Sequence, residues 1–98
     1  MVVRHADKNV ERLEGDVEFT GGYGRPVVKG FRKVMQIIRA AVDERVFYAM
    51  KSLHFEKLSG DRAHQHSMRI NDQFRLIVEF EGRAPNKRMV VVGIEDYH

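Results

Sequence analysis

The order of apolar and polar positions divides the chain into a helical first half and a strand-rich second half. Val2-Val3 is a short apolar start that suits an edge strand. Asp7 is placed to cap a short helix in which Val10 and Leu13 share one face before Gly15. Gly21-Gly22-Tyr23-Gly24 reads as a connection between elements, since no lysine follows at the spacing of a phosphate-cradling loop. Pro26 fits the first turn of a second helix, and Val27, Phe31, Val34, Ile38 and Ala41 recur at helical spacing as far as Val42. Gly30 inside that stripe costs about 1 kcal/mol relative to alanine, so packing must hold the helix. Residues 43–50 fit either a helical turn or a loop.

From Ser52 onward the period changes to two. Leu53 and Phe55 alternate with His54 and Glu56, Ser59-Gly60-Asp61 reads as a turn, and Met68 and Ile70 alternate with Ser67 and Arg69. Phe74, Leu76, Val78 and Phe80 continue the alternation up to a loop over Gly82 to Lys87. Met89-Val90-Val91-Val92 is apolar on successive positions, as a central strand covered on both faces requires. The expected order is a strand, two helices and four strands in an antiparallel meander, with no internal repeat.

The alternation also sets a register. A two-residue turn at Asn71-Asp72 pairs Met68 with Arg75 and mixes apolar with charged side chains on each face. A three-residue turn over Asn71-Asp72-Gln73 pairs Ile70 with Phe74 and Met68 with Leu76, giving one apolar face for the helices. It also sets Arg69 opposite Arg75 on the other face. Like charges facing each other across strands are destabilising, so an anion held between them is one reason to keep both. Simple solvation of an uncovered sheet face is the other.

At 98 residues the chain has the length of one domain, 1–98, and such a domain buries roughly 60–65% of its unfolded surface. A hydrophobic content of 43% beside 32% charged residues reads as globular. The net charge of +3 leans toward an anionic partner such as nucleic acid. The positive charge is local: between Gly21 and Val42 stand Arg25, Lys29, Arg32, Lys33 and Arg39 with no acid. The lack of cysteine excludes disulfides, thiolate zinc sites and a cysteine nucleophile, and suits a reducing cytoplasm. Arg4, His5, Asp7 and Lys8 leave no apolar leader, and no apolar run approaches the ~20 residues that span a bilayer. A cytoplasmic protein without membrane contact is expected.

Two strings carry a resemblance. Leu58-Ser59-Gly60-Asp61-Arg62 followed by Ser67-Met68-Arg69-Ile70-Asn71-Asp72-Gln73-Phe74-Arg75, and the closing Asp96-Tyr97-His98, resemble the RelE/ParE superfamily of bacterial toxins, most closely its HigB-like plasmid maintenance killer branch. That branch shows Ser-Ile-Arg-Ile-Asn-x-Gln-Trp-Arg and a terminal Asp-Tyr-His; Phe74 replaces the tryptophan here. The resemblance implies an α+β fold with an N-terminal strand and two helices on one face of a mostly antiparallel four- to five-stranded sheet. It implies a toxin of a type II toxin–antitoxin system that cleaves mRNA in the ribosomal A site. It further implies a cognate antitoxin, commonly a HigA-like helix-turn-helix protein, with ribosome and mRNA as the other partners.

Carried onto this chain, the resemblance makes Asp96, Tyr97, His98 and Arg75 the catalytic residues, and Arg69, Arg62, Lys57 and His54 the groups that bind RNA or phosphate. No metal and no cofactor are expected. Histidine exchanges a proton near neutral pH, Tyr97 is able to stack on a base, and the arginines stabilise charge on a phosphate. One departure stands out: where branch members bear a histidine before the Gly-Asp turn, this chain has Glu56, with His54 two residues earlier. Relatives of the ParE type share the fold and inhibit DNA gyrase without cutting RNA, and a degenerate module that only binds its antitoxin is a further alternative. His64-x-His66 offers a possible metal pair, but no third ligand stands near it in the sequence.

Overall fold

The computed structural model describes residues 1–96, so Tyr97 and His98 lie outside the described residues. The first helix, α1 (Lys8–Gly15), starts where expected. Asp7 Oδ1 accepts hydrogen bonds from the backbone N–H of Asn9 at 2.7 Å and of Val10 at 3.2 Å, which satisfies donors with no partner inside the helix. The second, α2 (Arg25–Ala40), carries Pro26 in its first turn and buries Val27, Val28, Phe31, Val34, Met35 and Ile38. It stops two residues short of Val42, which is exposed. The open question at residues 43–50 resolves as a short helix, α3 (Arg45–Ala49), around the buried Phe47.

One side chain fastens the α1–α2 connection. Arg32 donates from Nε to the carbonyl oxygen of Leu13 at 3.0 Å and from Nη2 to those of Asp16 at 2.9 Å and Phe19 at 3.1 Å. The Leu13 carbonyl is one that the end of α1 leaves without a helical partner, and those of Asp16 and Phe19 belong to the connection that follows.

Five strands form one sheet in the order β1-β5-β4-β3-β2: β1 (Val3–His5), β2 (Glu56–Lys57), β3 (Gln65–Arg69), β4 (Phe74–Glu81) and β5 (Arg88–Asp96). Only β1 runs parallel, against β5, and the rest form the expected meander. The α+β architecture therefore matches the expectation, with β1 at the edge and a third helix added. Met68, Leu76, Val78, Met89 and Val91 join Phe31, Met35 and Ile38 in one core. Alternation along the strands sends Ser67, Arg69, Arg75, Ile77 and Glu95 to the side away from those residues. Met89, Val90 and Val91 are all buried, as the apolar run required. The run also hides a bulge: Ile77 pairs with Gly93 but Val78 with Val91, which leaves Val92 as an extra residue.

The strand expected from Leu53 is a correction. Lys51–Leu53 is a 3-10 turn and His54 adopts the left-handed conformation, with φ of 46°. Leu53 and Phe55 are both buried with an exposed residue between them, so a turn reproduces the alternation that a strand would show. The extended segment is confined to Glu56–Lys57.

The distance between α2 and the sheet is set at Gly30. A β-carbon there would lie 2.9 Å from the carbonyl oxygen of Ile70 and 3.0 Å from its Cγ2. The helix thus closes directly on the end of β3, beside Arg69.

Candidate functional site

The hairpin register is the one the alternation required. Met68 pairs with Leu76 and Arg69 with Arg75, while Ile70 N–H donates to the Phe74 carbonyl at 3.0 Å. Asn71 shapes the turn by accepting at Oδ1 from the backbone N–H of Gln73 at 2.9 Å and of Phe74 at 2.8 Å. On the next strand Glu95 stands opposite Arg75, so one row across the uncovered face reads Arg69, Arg75, Glu95.

The repulsion within that row is relieved from inside the protein. Arg69 forms an ion pair with Asp72. Arg75 Nη1 donates to the Asn71 carbonyl at 2.8 Å. Arg62, from the turn before β3, reaches across β4 to hold Glu95 through two hydrogen bonds of 3.0 and 2.6 Å. That bond to Glu95 raises the Arg62 guanidinium pKa. Arg62 also donates to Gln65 at 2.9 Å, and Gln65 in turn donates to Glu79 at 2.8 Å. Ile77 is only 3% exposed beneath this layer.

Arg62, Arg69 and Arg75 are therefore brought to the same face. Asp96 sits at the end of β5 opposite Phe74 and accepts a hydrogen bond from Gln73 at 3.0 Å, which ties the last described residue to the hairpin turn. Tyr97 and His98, assigned catalytic parts, follow outside the described residues. His54 is exposed, and the neighbouring Ser52 and Leu53 line a cleft together with Lys33 and Arg69. Lys57 stands across from His66, whose ring lies on the aromatic side of the sheet, so it does not join the arginine row. Glu56 pairs with Ser67 and so belongs to the uncovered face. Glu95 is the residue that sequence reasoning missed. Its alternation is broken by the Val92 bulge, and its partner Arg62 is 33 residues away.

His64 and His66 do not converge. His64 approaches Glu79 at 3.6 Å, while His66 stacks on Phe55 with centroids 4.7 Å apart and meets the edge of Phe80 at 5.6 Å. Burial lowers the pKa of His66, and Lys57 and Lys87 add to the effect against the opposing pull of Glu44. Its unfolded counterpart titrates near 6.5. The folded state therefore binds a proton less readily, and the His66 contribution to stability is complete above that value and lost as pH falls through the lower folded value. Thermal unfolding between pH 7 and pH 5 is expected to show a fall in midpoint that is smaller in His66→Leu. An equal fall in both would assign the acid sensitivity to other groups.

No helix among the described residues is long and apolar enough to cross a membrane. No family model and no curated protein matches the sequence. Among solved structures, a YoeB/ParE toxin from Agrobacterium tumefaciens aligns over 100% of both chains with a TM-score of 0.62 at 17% identity. At that identity the match speaks for architecture, and the chain has the fold of the YoeB/ParE toxin.

Proposed function

We propose that this protein is the toxin of a type II toxin–antitoxin system, of the HigB-like branch of the RelE/ParE superfamily, and acts as a ribosome-dependent mRNA endonuclease in the cytoplasm. The observation that supports this most directly is the row of Arg69 and Arg75 on an uncovered sheet face, next to the strand that leads into Asp96-Tyr97-His98, in a chain with a toxin fold. Its partners are then a HigA-like antitoxin, the ribosome and mRNA, and the whole chain 1–98 serves as the toxin domain.

In this reading the ribose 2′-oxygen attacks the adjacent phosphorus in line while a base takes its proton. The bond from phosphorus to the 5′-oxygen breaks, an acid protonates that oxygen, and a 2′,3′-cyclic phosphate and a 5′-hydroxyl remain. Arg75 and Arg69 stabilise the charge on the phosphate, His98 and Tyr97 handle protons and the base, and Asp96, which its register with Phe74 turns away from the arginine row, acts through His98. The phosphate replaces Asp72 on Arg69 and Glu95 on Arg62. Arg62 and Glu95 are 44% and 47% exposed and Asp72 is 93% exposed, so breaking such pairs costs little.

Toeprinting in a translating extract tests the reading. Wild-type protein is expected to cut within the A-site codon, and Arg69→Ala to cut about 10²-fold more slowly with an unchanged unfolding midpoint. Intact transcripts with gyrase-dependent DNA breaks would instead support a ParE-type gyrase inhibitor.

A further inference from the structure

The basic segment between Gly21 and Val42 divides once it is folded. Arg32 is engaged by backbone carbonyls, and Arg39 is held by Glu14 through bonds of 3.0 and 2.8 Å. Arg25, Lys29 and Lys33 remain exposed on α2, and none of the three has an ion-pair partner among the described residues. They recur every fourth residue, so they stand in a line with steps of about 6 Å along the helix axis. The three line an open groove of about 1070 Å³ with Thr20 and Gln36. Lys33 is shared with a second cleft, of about 270 Å³, whose far wall is Arg69 and Asn71. The line of cations is thus continuous with the phosphate-binding end of the sheet.

We propose that the outer face of α2 is a second RNA site, which takes the backbone phosphates flanking the one held at Arg69 and Arg75; this rests on the RNA-cleaving reading above. A regular series of cations fits a regular series of phosphates, and contacts of this kind position a nucleic acid without reading its sequence. An acidic protein helix fits less well. It needs a buried apolar anchor, and the large apolar side chains of α2 are turned into the core, leaving Val17 and Pro26 as exposed apolar residues along the groove.

The full-length protein can be tested by fluorescence anisotropy with uncleavable 2′-O-methyl RNA, one probe of about 12 nucleotides and one dinucleotide. Lys29→Gln/Lys33→Gln is expected to weaken the long probe on the order of tenfold and to reduce its salt slope by about 1.4. The dinucleotide is expected to bind as to wild type. Arg69→Ala is expected to weaken both probes. If the double variant leaves affinity and slope for the long probe unchanged while Arg69→Ala weakens it, the α2 site is wrong and the reading of the sheet face stands. The same holds if the double variant weakens both probes equally. Should Arg69→Ala leave both probes unaffected, the underlying reading fails instead.

Discussion

On the proposed reading, removing His98 alone is expected to slow ribosome-dependent mRNA cleavage by about 10²–10⁴-fold, the usual worth of a positioned proton carrier, with the unfolding midpoint unchanged. His98 follows a strand end that is already tied down. Asp96 is paired across from Phe74 and hydrogen-bonded to Gln73, and the hairpin turn is closed by Asn71. The buried residues nearest in sequence, Val91 and Val90, lie well inside β5, and the half-buried Ile94 that packs against the core belongs to the same strand. Cleavage rates and thermal melts of the truncated and complete chains, measured side by side, check this. A truncated chain that cuts at the full rate removes His98 from the chemistry. A chain that loses both rate and midpoint shows that the terminus carries structure.

Gly30→Ala is expected to destabilise the protein by roughly 1–3 kcal/mol, in the range of an overpacked core, although alanine is the better helix former by about 1 kcal/mol. The sign is decided by space. The new methyl group would lie 2.9 Å from a backbone oxygen, that of Ile70, which is held in the hairpin and cannot swing aside as a side-chain tip does. Either α2 lifts from the sheet or the end of β3 moves, and Arg69 is the next residue along that strand. Chemical denaturation of the purified variant measures the loss, and a gain in stability would mean that the helix shifts without cost. Loss of RNA affinity beyond the loss of folded protein is expected to accompany it.

Much of this arrangement is legible from residue order because its period is regular. The stripe from Val27 to Ile38 admits one helix, and the alternation through Met68, Ile70, Phe74 and Leu76 admits one register, so the juxtaposition of Arg69 and Arg75 follows from residue order alone. Legibility ends where the period is imitated or broken. At Leu53, His54 and Phe55 a left-handed residue gives the burial pattern of a strand. At Val92 a bulge inside an unbroken apolar run shifts the phase, so Glu95 rather than its neighbour meets the arginines. Ion pairs such as Arg62 with Glu95 join positions too far apart for local periodicity to report. The part of the site that was readable is the part built by one hairpin.

The fan of bonds from Arg32 to Leu13, Asp16 and Phe19 changes what the glycines at positions 21, 22 and 24 mean. By composition that bend is the most pliant joint in the molecule. The carbonyls just ahead of it are gripped by a planar fork whose geometry a lysine could not reproduce, so the end of α1 is fastened to α2 independently of that bend, and a guanidinium that counts toward nucleic-acid affinity on paper is in practice a rivet.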